Sequence, residues 1–167
     1  SLLLSAVMLL SLLSVTASAA APSFRVYFET DKTSYSVGDT VTAKLYVQRT
    51  DATDDYVLYN FTDYVVFNSS FLTYLGGEAG PSDFRLESGA SGSGMEYNDL
   101  LKFVSVRFQS TDPKGTPASR ASTLLAATLR FKATADCQTL LQHKNVEVWT
   151  SRTGGGTVST EDATVTA

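Results

Sequence analysis

Apolar and polar residues alternate at a spacing of two along most of this chain. A backbone patterned that way satisfies itself as strands that each bury one face. Val41, Ala43, Leu45 and Val47 alternate with Thr42, Lys44, Tyr46 and Gln48. Between 56 and 67, Val57, Tyr59, Phe61, Val65 and Phe67 share one parity while Asn60, Thr62 and Tyr64 share the other. Asp63 interrupts the apolar series, so a bulge or register change is expected near it. Val104, Val106 and Phe108 oppose Phe103, Ser105 and Arg107, and Leu125, Ala127, Leu129 and Phe131 run at the same spacing. Further aromatic and β-branched runs lie at 24–30, 71–75, 145–150 and 158–166, with a short one at 84–86.

Turn chemistry separates the runs. Gly38-Asp39, Gly76-Gly77, Asp112-Pro113-Lys114-Gly115 and Gly154-Gly155-Gly156 are breaks, and the Gly-, Ser- and Ala-rich stretch 78–94 reads as a long surface connection. Residues 118–127 contain enough Ala, Arg and Leu for a helical turn, but the second half of that stretch continues as a strand. Short strands with turn signals and no sustained 3.6-residue period predict an all-β, antiparallel two-sheet sandwich of jelly-roll type.

The chain has 167 residues and a formal net charge of -4, which suits one domain and offers no basic cluster for nucleic acid. Leu2 to Val15 is almost entirely apolar and is followed by Ala17-Ser18-Ala19, the pattern of a cleaved export signal. Residues 1–20 are therefore read as a signal peptide and 21–167 as a single secreted domain with no membrane span. The sequence has neither an initiator Met nor a basic leader, so it is expected to begin inside a longer gene product.

Candidate chemistry is thin. Cys137 and His143 are the only residues of their kinds, and no motif around them marks an activated nucleophile or a zinc site. His143 reads as a surface side chain and Cys137 as a small apolar residue near a strand end. Asp51, Asp54 and Asp55 lack the alternate spacing of a calcium loop and read as a solvated acidic turn. Gly89, Gly92 and Gly94 do not have dinucleotide-loop spacing, and Glu29, Glu87, Glu96 and Glu147 carry no supporting motif. No cofactor, metal or enzymatic activity is expected. Asn60-Phe61-Thr62 and Asn68-Ser69-Ser70 fit the glycosylation sequon, which matters only in a eukaryotic secretory route.

Several segments resemble those of bacterial cohesin domains, in order along the chain. Tyr35-Ser36-Val37-Gly38-Asp39-Thr40-Val41-Thr42 is similar to the family's opening segment, and Tyr64 to Leu72 to its strand ending in Tyr-Asp-Pro-x-x-Leu. Leu125-Ala126-Ala127-Thr128-Leu129-Arg130-Phe131-Lys132 resembles its Leu-Ala-x-Leu-x-Phe-Lys strand, and Asn145 to Val148 with Thr164-Val165-Thr166 resembles its last two. Asn68-Ser69 stands where the family has Asp-Pro, and Arg49 to Tyr59 is long and acidic for its loop.

The resemblance implies a jelly roll of about nine strands that docks a dockerin-like protein module outside the cell without catalysis. In the family the docking surface is a sheet face that includes the third, fifth, sixth and eighth strands. Carried over by parity, that face comprises Asn60, Thr62 and Tyr64, then Phe103, Ser105 and Arg107, then Thr128 and Arg130. Tyr64 and Phe103 would be aromatic anchors, and Arg107 and Arg130 donors of charge-assisted bonds. A polysaccharide-binding module of similar shape, using Tyr64, Phe103 and Tyr97, is the alternative. A structural or adhesin domain of a longer surface protein is a third reading.

Overall fold

The computed structural model describes residues 21–51, 54–80, 94–110, 112–119, 123–151 and 154–167. The signal peptide, the short strand at 84–86 and part of the glycine-rich connection lie outside the described residues. Those described form twelve strands and no helix: β1 (Ser23–Thr30), β2 (Thr40–Arg49), β3 (Tyr56–Leu58), β4 (Asn60–Val66), β5 (Leu72–Ala79), β6 (Gly94–Asn98), β7 (Phe103–Gln109), β8 (Thr116–Ala118), β9 (Thr123–Ala133), β10 (Gln138–Trp149), β11 (Thr157–Glu161) and β12 (Ala163–Thr166).

Two five-stranded sheets face each other, with orders β11-β1-β2-β9-β5 and β12-β10-β4-β7-β6, and β3 and β8 form a separate ribbon. All these pairings are antiparallel except β1 with β11, which run parallel. The expected two-sheet all-β architecture is present.

Local chemistry explains the first hairpin. Phe24, Val26 and Phe28 of β1 and Val41, Ala43, Leu45 and Val47 of β2 point inward, as their alternation requires. The turn between them is held by Asp31, whose Oδ1 accepts the Tyr35 hydroxyl at 2.7 Å and the Thr42 N–H at 2.9 Å. Leu45, Phe61, Phe108, Leu129 and Phe131 are fully buried between the sheets. Burying a side chain of this size contributes about 1.5–3 kcal/mol.

Four elements differ from the sequence reading. Residues 56–67 are two strands, broken at Tyr59, whose N–H donates to the Trp149 carbonyl and whose carbonyl accepts from Ser110. Parity reverses across the break, so Tyr56 and Leu58 are buried while Val57 is half-buried, not core. Second, β5 continues through Gly76-Gly77. Gly76 has φ +129° at a register shift, and a Cβ on Gly77 would lie 2.9 Å from both Leu129 Cδ2 and the Thr128 carbonyl oxygen. The glycines here permit close strand contact and do not end the strand.

Third, β10 begins at Gln138 and not near Asn145. Its pairing with β4 shifts register between Lys144 and Glu147, opposite Asp63, which is the irregularity expected there. Fourth, 158–166 is not one strand. It turns at Asp162, sending β11 to one sheet and β12 to the other.

Candidate binding face

The outer face of the β12-β10-β4-β7-β6 sheet carries most of the residues singled out from the sequence. Register fixes its rows. Trp149, Asn60 and Gln109 are cross-strand neighbours; Glu147, Thr62 and Arg107 form the next row; Lys144, Tyr64, Ser105 and Glu96 the next; and Gln142, Val66, Phe103 and Asn98 the last. Tyr64 and Phe103 meet diagonally, with ring centroids 4.9 Å apart and planes 29° from parallel. Such a pair adds about 0.5–1.5 kcal/mol beyond its buried area.

The rows grade from apolar to polar. At the Phe103 end, Leu101 and Leu100 of the β6–β7 turn are 65% and 88% exposed, and Leu140 of β10 is 42% exposed. Leu140, Val66 and Gln142 line a shallow concavity of about 370 Å³ with Gln138, Thr139 and Asn68. At the other end Asn60, Thr62, Tyr64, Arg107, Asn145 and Glu147 line one of about 470 Å³. It adjoins a third, of about 510 Å³, walled by Tyr59 and Trp149 and sharing Asn60 and Gln109. The Trp149 indole N–H donates to Glu147 at 3.1 Å, which fixes that wall.

Six of the eight expected contact residues therefore lie on one sheet face, but three of the eight need correction. Ser105 has the outward parity yet is only 5% exposed, and its hydroxyl donates to the Glu96 carbonyl at 3.4 Å, so it supports the face without presenting itself. Thr128 and Arg130 sit on β9, which bonds to β2 and β5 in the opposite sheet. There Thr128 is buried and Arg130 is paired with Glu78 at 2.7 Å. The strand completing the face is β10, which contributes Leu140, Gln142, Lys144, Glu147 and Trp149. Sequence reasoning missed its first half because two of the inward residues there, Thr139 and His143, are polar, so the alternation was masked.

Directly beneath this face lies a buried polar pair. Asp63 and His143 side chains are both 0% exposed, and His143 Nδ1 is 2.6 Å from Asp63 Oδ2. His143 Nε2 lies 3.1 Å from the Glu161 carbonyl oxygen, and the ring stacks on Phe28 at 4.1 Å and 8°. Burial pushes the Asp63 carboxyl up from its ordinary value, against the opposing pull of His143. Its Oδ1 is buried without a hydrogen-bond partner. The expectation of a surface histidine is corrected: the packing of Phe28 and the Asp162 corner seals it in.

Among the described residues the sites considered from the sequence do not assemble, and Glu87, Gly89 and Gly92 lie outside those residues. Both His143 nitrogens are engaged, and burial together with Asp136 raises the Cys137 thiol, the opposite of an activated nucleophile. Asp51 is turned onto Arg49 at 2.8 Å, and that bond holds its carboxyl below the usual range. Among the described residues no group of three or more His, Cys, Asp or Glu side chains is placed to hold a metal, and no helix is long and apolar enough to cross a membrane.

No family model matches the chain, and no curated protein does. Solved structures match in fold. The third cohesin of ScaC from Acetivibrio cellulolyticus, solved in complex with the ScaB dockerin, superposes with a TM-score of 0.68 at 18% identity over 86% of this chain and 98% of that one. The seventh ScaB type I cohesin of Pseudobacteroides cellulosolvens gives 0.67 at 15% identity, covering 86% and 90% of the two chains. A non-cellulosomal cohesin from the archaeon Archaeoglobus fulgidus gives 0.60 at 11% identity over 86% and 90%. The chain has the fold of cohesin domains.

Proposed function

We propose that this domain is a non-catalytic docking module that binds a dockerin-like protein through the outer face of the β10-β4-β7-β6 strands. The observation carrying this reading is the gradient on that face. The stacked Tyr64 and Phe103 beside exposed Leu100, Leu101 and Leu140 supply an apolar anchor. Arg107, Lys144 and Glu147 supply charged groups around polar concavities. An apolar centre edged by charge is how protein interfaces concentrate affinity and orientation. Several structures of the same fold were solved with dockerins bound, which supports a protein partner over a polysaccharide. The setting that fits is outside the cell, in a bacterial polysaccharide-degrading or surface assembly, with this domain one module of a longer chain.

Titration calorimetry against a panel of purified dockerins tests the reading. At least one is expected to bind, and Tyr64→Ala and Phe103→Ala are each expected to weaken it about 30-fold or more, the loss typical of a hot spot. Arg130→Ala, on the opposite sheet, should leave affinity within about twofold. Retention on insoluble polysaccharide with no dockerin bound would overturn the proposal in favour of a glycan-binding module.

A further inference from the structure

The buried pair beneath the face has a proton requirement that its geometry dictates. The Glu161 carbonyl only accepts, so His143 Nε2 must carry hydrogen to approach it at 3.1 Å. Nδ1 and Asp63 Oδ2 are 2.6 Å apart, a distance at which a ring lone pair and a carboxylate repel unless one proton lies between them. With that proton the pair is neutral overall, as imidazolium and carboxylate or as imidazole and carboxylic acid. Without it, an uncompensated charge sits where both side chains are fully buried.

We propose that Asp63 and His143 share a single proton that clamps β10 to β4, to Phe28 of β1 and to the Asp162 corner, so that loss of this proton at alkaline pH loosens β10 and the outer face it carries. Among the described residues no cationic side chain is placed to replace it, and the Lys144 backbone is the one further group that favours the Asp63 carboxylate. Val106 is opposite Asp63 on β7, and Phe28 covers the imidazole from β1. Arg25 lies outward from β1, bonded to the Glu161 carboxylate at 2.6 Å, and Glu29 and Lys144 are on outward positions of β1 and β10. Asp162 takes the His143 backbone N–H at 2.9 Å and adds negative charge, which opposes ionisation of Asp63. Lys144 and Glu147 flank the β10 register shift opposite Asp63, so the same contact that seals the core sets how these two side chains stand on the face.

The linkage has a definite sign. A folded pair that keeps a proton which the unfolded chain has released takes up a proton on folding, so stability falls as pH rises. The inference rests on the fold and holds whether or not the face docks a dockerin.

His143 is the only histidine, so its imidazole ¹⁵N signals are unambiguous in the intact protein. They are expected to stay constant from about pH 5 to about pH 8; a titration step centred near ~6.5 would overturn the proposal. At the higher pH where they do move, the backbone amides of residues 143–147 are expected to shift with them while those of β9 stay in place. Movement of the ring signals alone would overturn the coupling to the face. Asp63→Asn supplies an amide N–H to Nδ1 of a neutral imidazole and needs no shared proton. The wild-type Tm, minus that of Asp63→Asn, is expected to drop by several degrees between about pH 6 and about pH 9. A difference that does not change with pH would overturn the proposal, and if Asp63→Asn does not fold, the wild-type spectra decide it.

Discussion

Two tyrosines with buried rings show how one hydroxyl changes a residue's contribution. Tyr56 is 7% exposed, packs edge-on against Phe24 with centroids 5.7 Å apart, and has no hydrogen-bond partner for its hydroxyl. Tyr35 is 6% exposed, but its hydroxyl donates to Asp31 and accepts from the Lys32 N–H. Burial is the main cause that pushes both phenols up to about 12. A folded value above the unfolded one means stability is full below about pH 10 and is lost as pH rises toward the folded value. Tyr56→Phe removes an unpaired buried oxygen and is expected to leave stability unchanged or raise it by about 1 kcal/mol at neutral pH. Tyr35→Phe breaks a satisfied bond and is expected to cost about 0.5–1.5 kcal/mol. Urea denaturation at neutral pH, with the alkaline midpoint followed alongside, separates the two.

Among the elements, β10 is the one whose character decides the candidate face. Thr139, Leu141 and His143 point inward before the register shift, and Val148 after it, so the parity changes within one strand. Asn145 takes φ +55° at that point. Asn and Gly tolerate this left-handed region, whereas a β-branched residue is strained there. Asn145→Gly is therefore expected to be nearly neutral, while Asn145→Val should cost about 1–2 kcal/mol and shift the amide resonances of Lys144 and Glu147. Urea titration and a ¹H–¹⁵N spectrum check both. The same parity change explains why only the second half of β10 was legible. A period-two pattern that flips midway, with Thr and His at inward positions, does not resemble a buried face until its cross-strand partners are known. By contrast β2 was fully legible, because four successive inward positions are aliphatic and the irregularity in its pairing with β9 falls on β9, where Ala126 is the extra residue.

Across the whole molecule, the two sheets are joined by chain segments far apart in sequence. β12 edges the second sheet beside β10 and ties it to the segment after β1: Val165 is fully buried, the Thr166 carbonyl accepts the Tyr35 N–H at 2.6 Å, and Ala167 exchanges both backbone bonds with Cys137. Ending the chain after Asp162 would expose the Gln138–Leu141 edge of β10 and remove the Val165 burial, worth about 1.5–3 kcal/mol by itself. The truncated domain is expected to melt at least several degrees lower by circular dichroism, with Leu140 and the rest of the apolar end of the face less protected from hydrogen exchange.

The chain's own residues determined that it would be an all-β sandwich and which side chains of β1, β2, β4 and β7 would fill it, because inward and outward alternation is a local property written in consecutive residues. In β9 the alternation holds from Ala127 onward, but an extra residue at Ala126 leaves the expected Leu125 half-buried and puts Leu124 in the core. Tertiary structure alone decided which sheet each strand joins. β9 has the alternation of an inner strand, yet its backbone bonds to β2 and β5 carry Thr128 and Arg130 to the far side of the molecule. It also decided that Asp63 and His143, eighty residues apart, would meet in the core. Backbone hydrogen bonding is the same in every residue and the side-chain contacts that select a partner lie across strands far apart in sequence, so neither choice is written in any one run of residues.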